Sequence, residues 1–469
     1  MRNKLKKFTA FANTLFPYET TYLLSIQKMK DVVKLDILKR VDYNSQHPKQ
    51  FIPYDTSIDK RKYSLLKNWI SDRLAAVDVD IQFDWMCQME NKIMTDAIQL
   101  TEEKQLLKII RNYEHPIFYF PKLYELAMLY RHFLLIRIRL KDHQLVEQFL
   151  KKNKRNYDHS KAVSEKMHQA TIDIVSQYSE NKTESNQWEE WLTTVFYDKT
   201  LDGHNRYMAM VQLSFISFNY RKYDLLSEKM DFLEEKFKQG QYYSRRILAN
   251  YYNSRLMLHN SFKEYDKAIN CGYLAIRGES HDSILYVTNL CTVLLRQDKE
   301  EEAFVVLKSG ATKMKMTKNF HSKIGYIALY IKCLTTMGQY KKAENYAETF
   351  LLAYEKEIMH YRWHIFFSAY LETLLFQQKN TRVLRIVSKY KLEEKDIAYQ
   401  NRANYLPTIL WYKATAHYLN GGMSKADLCA FVQSFIDRTL EDKDRLSSIN
   451  RIIKSLKNFV PEITSYLKF

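Results

Sequence analysis

Glu357, His360 and His364, in the stretch EIMHYRWH, recur at i, i+3 and i+7. That spacing puts a carboxylate and two imidazoles on one face of a helix, where they could ligate a transition metal. The order is not that of a zinc-protease helix, no further ligand follows, and an exposed or packed helix face explains the three equally well. Asp78, Asp80 and Asp84 in VDVDIQFDW offer oxygen ligands for a divalent cation. Their alternation with Val79 and Ile81 fits a helix junction with capping acids better. No glycine precedes Gly203, which excludes phosphate-cradling glycine loops from that part of the chain. Cys87, Cys271, Cys291, Cys333 and Cys429 include no Cys-x-x-Cys pair, so a thiolate zinc site is excluded. The histidines form no nucleophile–base pair visible in sequence, although such pairs are assembled in space. No catalytic residue, cofactor or metal is expected.

The remaining chemistry is electrostatic. Net charge is +18, with 72 Lys+Arg against 54 Asp+Glu, enough to attract nucleic acid, an acidic protein or a membrane surface. A lysine-rich, solvated surface would give the same excess. Residues 131–161 concentrate it: Arg131, Arg137, Arg139, Lys141, Lys151, Lys152, Lys154, Arg155 and Lys161 face only Asp142, Glu147 and Asp158. Lys151, Lys152, Lys154 and Arg155 are the candidate phosphate-binding residues, with Tyr130 and Phe133 as possible stacking neighbours. The favoured reading of KKNKRNYDHSK is nevertheless a solvated loop between helices.

The elements that must carry these residues are helices. Glycine and proline number 9 and 7, and no proline lies between Pro121 and Pro407. Strand turns draw heavily on both residues, so the fold class is all-α. The N-terminus is read as an amphipathic helix, with Phe8, Phe11, Ala12 and Leu15 on one face. Lys4, Lys6 and Lys7 flank it, which makes a membrane-surface role a minor possibility. No window has the roughly 20 apolar residues a membrane span needs. The odd number of scattered cysteines suits a reducing compartment, and the cytoplasm is the expected location. A loop is expected over 41–63, with the next helix beginning near Ser64. A second break falls at 112–122, and Thr101 before Glu102 and Glu103 reads as a helix N-cap. A buried central helix should run from Lys122 to about Lys141.

Further along, similar segments recur. Aligned on a central small or apolar residue they give Leu226, Ala268, Ala303, Ala343, Leu384 and Ala426, at intervals suited to stacked helix pairs. In MGQYKKAENYAETF the turn glycine is Gly338, followed by Tyr340, Ala343 and Tyr346, with Ile327, Tyr330, Ile331 and Leu334 before it. WYKATAHYLNGGMSKA supplies Trp411, Ala414, Thr415, Tyr418, Gly422 and Ala426, and KEYDKAINCGYLAI supplies Tyr265, Ala268 and Ala275. These features resemble the tetratricopeptide repeat over about residues 205–436. The period is longer than that family's, the closing proline is missing, and Glu372 stands where a small residue belongs. The resemblance implies an α-solenoid whose first helices bind peptides or partner proteins. By that mapping Thr288, Thr292, Ala328, Lys332 and Thr335 face the groove.

The expected organisation is an N-terminal helical region (1–121), a connecting region with the basic loop (122–204), and helical repeats with a capping helix (205–469). The leading function is non-catalytic protein–protein interaction or scaffolding. Nucleic-acid binding through 131–161 is the alternative. A second is an enzyme or enzyme regulator with its site within 1–200.

Overall fold

The computed structural model describes residues 5–180, 185–278, 281–400, 405–438 and 443–467. Every regular element among them is helical. The chain divides into two compact units, Met1–Leu258 and His259–Phe469, a different partition from the three regions expected at 121 and 204.

The first unit contains α1 (Lys6–Ala12), α2 (Pro17–Ile26), α3 (Val32–Gln46), α4 (Lys60–Val77), α5 (Val79–Met94), α6 (Leu100–Arg111), α7 (Phe120–Ile136), α8 (Leu140–Glu180), α9 (Glu189–Tyr197), α10 (Gly203–Tyr220), α11 (Tyr223–Lys238) and most of α12 (Arg245–Ser261). Its N-terminal helices are not a separate domain, because α2 packs on α11. Glu19, fully buried, accepts from Tyr243 Oη at 2.6 Å, Arg245 Nε at 3.1 Å and the Phe16 N–H at 2.8 Å. The expected loop over 41–63 is shorter, since α3 runs to Gln46 and α4 starts at Lys60. It is tied to the unit by Asn44, which exchanges two hydrogen bonds with the Ile52 backbone (2.8 and 2.9 Å), and by Tyr63 Oη on the Asp55 carbonyl. Asn44 completes by side chain what a strand partner would supply by backbone. The amphipathic N-terminal helix is present, but Phe8, Ala12 and Leu15 are buried within the unit, which removes that face from any membrane. Lys4 lies outside the described residues. Asp78 caps α5 by accepting from the Asp80 and Ile81 N–H groups. Thr101 is no cap: α6 begins one residue earlier, with Glu102 accepting from the Gln99 N–H at 3.0 Å.

The stretch KKNKRNYDHSK is not a loop. It is the middle of α8, a single helix of 41 residues. Lysine and arginine are good helix formers, and no glycine or proline interrupts them. The buried face reads Val146, Phe149, Leu150, Asn153, Ser160, Val163, Met167, Ala170 and Ile174, spaced by threes and fours. Asn153 and Ser160 put polar residues where an apolar stripe is sought. Asn153 satisfies itself on the Phe149 carbonyl at 2.9 Å, and half-buried Tyr157 stacks on Tyr124 with ring centroids 4.3 Å apart.

The second unit holds α13 (Tyr265–Ala275), α14 (Ser283–Arg296), α15 (Glu300–Met316), α16 (Phe320–Thr336), α17 (Tyr340–Tyr361), α18 (Trp363–Phe376), α19 (Asn380–Lys389), α20 (Leu392–Tyr399), α21 (Thr408–Leu419), α22 (Lys425–Asp437) and α23 (Lys443–Leu456). The helices pack in neighbouring pairs, α14 with α15, α16 with α17 and α18 with α19. The first helices also pack on one another, α14 on α16, α16 on α18 and α18 on α21, a solenoid-like all-α arrangement.

Six turns between successive helices share one connection. Arg221, Lys263, Asp298, Gly338, Gln378 and Gly421 adopt left-handed backbone conformations in these turns. At each turn an N–H bonds the carbonyl five residues back, 2.8–3.0 Å away, which closes the first helix. The second helix then starts at Tyr223, Tyr265, Glu300, Tyr340, Asn380 or Lys425. The fourth residue of each is fully buried: Leu226, Ala268, Ala303, Ala343, Val383 and Leu428. Four of the six expected anchors are therefore confirmed. Leu384 is half-buried beside the true anchor Val383, and Ala426 is exposed because the last turn has two extra residues between Gly421 and the helix.

Candidate functional surfaces

On α8 the side chains of Lys151, Lys152, Lys154 and Arg155 are all exposed, opposite the buried stripe. A helix places residues 151, 154 and 155 on one side, with Lys152 turned about 100° away. Lys154 is ion-paired with Asp158, and Lys151 lies 3.6 Å from Glu147. The quartet is thus a convex, partly neutralised helix face. The expected stacking partners do not accompany it. Tyr130 is fully buried and donates to Glu103 Oε2 at 2.7 Å, and the Phe133 ring is covered by the Arg137 guanidinium 3.7 Å from its centroid.

The five expected groove residues separate in the same way. Thr288, Ala328 and Thr335 are buried, so they line no open surface. Thr335 Oγ1 bonds the Ile331 carbonyl and Thr373 Oγ1 at 2.7 Å, which ties α16 to α18. Only Lys332 is exposed, with Thr292 half-buried and bonded to the Thr288 carbonyl. The residues do lie on first helices, but the faces assigned to the groove are largely those the helices use to stack.

Neither metal candidate holds together. Glu357 and His360 lie on α17, which ends at Tyr361, and His364 lies on α18. Arg362 breaks the helix between them (φ −139°, ψ 40°), so the three share no helical face. Asp80 is engaged by Arg246 through both oxygens at 2.8 and 3.0 Å and by Tyr119 Oη at 3.1 Å. Burial raises the affinity of Asp80 for a proton, but the Arg246 hydrogen bonds and charge outweigh it and hold the carboxyl below its ordinary range. Among the described residues no three histidine, cysteine or acidic side chains are grouped as metal ligands.

In the first unit both nitrogens of His115 are occupied. Nδ1 meets Tyr113 Oη at 2.7 Å and Nε2 meets the Thr200 carbonyl at 2.6 Å. In the second unit the polar groups gather at helix contacts instead. Glu344, buried on α17, takes Lys379 Nζ at 2.6 Å and Arg382 Nη1 at 2.8 Å from α19 and its turn. Its partners stand 35 and 38 residues further along the chain, a separation that leaves no local signature in the sequence. Glu372, out of place as a small residue, accepts from Ser455 Oγ at 2.5 Å and so joins α18 to α23.

The sequence matches no protein-family model and no curated protein. Among the described residues no helix is long and apolar enough to cross a membrane.

Proposed function

We propose that the chain is a non-catalytic helical-repeat protein that binds a protein or peptide partner. The observation that carries this reading is the sixfold recurrence of one turn, with a left-handed residue followed by a second helix buried at its fourth position. Such pairs bury their apolar faces only against neighbours, and arrays of them bind through extended surfaces. The resemblance to tetratricopeptide repeats supports the same reading, since that family binds partners along its first helices. Lys332, exposed on α16, is the expected groove residue that remains available. Affinity purification of the tagged full-length chain from its host should recover a stoichiometric protein, and Lys332→Glu should reduce that recovery. Recovery of nothing beyond an untagged control would sink the reading.

Nucleic-acid binding stays as a second reading because Lys151, Lys152 and Arg155 stand exposed along α8. Replacing them and Lys154 by Ser should flatten the dependence of log affinity on log salt by about 3, since each phosphate contact contributes about −0.7 to −0.9. An unchanged slope in filter binding would dismiss it.

A further inference from the structure

Two helix turns of the first unit are bridged at their tips. Arg137, in the turn between α7 and α8, pairs with Asp96 in the turn between α5 and α6. Arg139 pairs with Glu103, one turn into α6. Around these bridges the unit leaves apolar side chains in water: Met94 is 66% exposed, Leu100 72%, Ile136 78% and Ile138 78%, with Leu135 and Leu140 also exposed. Scattered exposed aliphatics are ordinary, but six around two tied turns form a patch.

Ile138 is the telling residue. It holds φ 58°, and the Arg139 N–H closes onto the Leu134 carbonyl at 3.0 Å, the same connection found at those six turns. At that position Gly338 and Gly421 are free of strain. A β-branched side chain there is an outlier, because its Cβ crowds the backbone. Ile138 gains nothing in return from burial, so packing within the fold does not account for an isoleucine at this turn.

Charge points to the occupant. Residues 92–111 and 131–144 carry eight lysines and arginines against four acids. All four acids are already paired: Asp96 with Arg137, Glu102 with Lys92, Glu103 and Asp142 with Arg139. Lys104, one turn beyond Leu100, and Lys141, beside Leu140, are exposed and, among the described residues, have no carboxylate within ion-pair distance. A second copy docking here would bring the same cations face to face. A structured protein would need a shape to hold side chains that stand nearly free on turns, whereas the boundary between headgroups and acyl chains accepts them without one.

We propose that the tips of the α5–α6 and α7–α8 turns form a membrane-surface docking site for anionic lipid. Isoleucine, leucine and methionine enter the interface, and Lys104 and Lys141 meet the headgroups. The site is independent of the partner-binding reading above.

The test uses the full chain and vesicle co-sedimentation, with phosphatidylcholine alone and with about a quarter phosphatidylserine. Wild type should pellet with the anionic vesicles and remain in solution with the neutral ones. Ile136→Ser with Ile138→Gly should lower the partition coefficient about tenfold or more, while the glycine relieves the strained turn and preserves the fold. Lys104→Gln with Lys141→Gln touches no apolar contact and should lower it about tenfold, with a weaker dependence on salt. Failure of wild type to pellet with anionic vesicles, or equal pelleting of wild type and both variants, overturns the proposal. A wild-type dimer in light scattering that the isoleucine substitutions dissolve also overturns it, in favour of a second copy as the occupant.

Discussion

Cys291 and Cys333 lie buried in α14 and α16, and burial is the chief reason both thiols resist ionisation, Cys333 being pushed up to about 12 and Cys291 further. Cys291 Sγ is also 3.5 Å from the Ala303 carbonyl across the α14–α15 contact. Only a thiolate attacks an alkylating reagent. Iodoacetamide near neutral pH should therefore label half-buried Cys87 and Cys271 first and reach Cys291 and Cys333 only in denaturant. Mass mapping that finds Cys291 modified in the folded protein would contradict the packing of α14 on α15. Asp396 offers a second residue-level test. Burial raises its carboxyl from 3.8 to about 6, although Tyr405 Oη donates to it at 2.5 Å. The folded state thus holds the proton more tightly than the unfolded chain. Stability contributed by the neutral acid is present below about pH 4 and is lost as pH rises through about 6. Asp396→Asn keeps an acceptor and removes the ionisation, so its stability relative to wild type should improve by about 2–3 kcal/mol between about pH 4 and about pH 7.5. Thermal melts with the same difference at both pH values would refute this.

At the scale of elements, the turns explain both what the sequence disclosed and what it concealed. Gly338 marks its turn plainly, and Ala268, Ala303 and Ala343 mark close crossings, so those pairs were legible. Arg221, Lys263 and Gln378 make the same left-handed turn with side chains that rarely adopt it, and nothing in their types announces it; Asp298 belongs to a type that tolerates it better. Without that landmark the fifth anchor slipped by one residue, and two extra residues displaced the sixth. The basic helix was hidden for a related reason: its buried face includes Asn153 and Ser160, with half-buried Tyr157 between them, which break the apolar period without breaking the helix. Lys263→Gly should relieve its turn and stabilise the protein by about 1 kcal/mol. Ala303→Leu or Ala343→Leu should destabilise it by about 1–3 kcal/mol through overpacking. Denaturant midpoints check all three, and a glycine variant no more stable than wild type would mean that the turn carries no strain.

At the scale of the whole chain, the first unit is closed by residues far apart in sequence. Ion pairs assembled across such distances are the features a sequence conceals most completely, because each partner alone reads as an ordinary surface charge. Glu19 stands 224 residues from Tyr243 and 226 from Arg245, yet the three meet inside the unit. Beside them the Val79 N–H bonds the Tyr243 carbonyl at 2.9 Å, so the start of α5 joins the same contact. Glu19→Ala would strand the Tyr243 hydroxyl and the Phe16 N–H without an acceptor and leave Arg245, half exposed, to water. Removing one member of a buried pair destabilises by about 3–5 kcal/mol, and the exposure of Arg245 brings the expectation down to about 2–3 kcal/mol. The loss should not be confined to α2. Because α2 packs on α11, amide exchange should accelerate in α11 and in α12 up to Leu258 as well. If residues 1–121 folded on their own, the acceleration would instead be confined to that region. Hydrogen exchange read by mass spectrometry distinguishes the two, and unchanged protection in α11 would mean that the N-terminal helices fold independently.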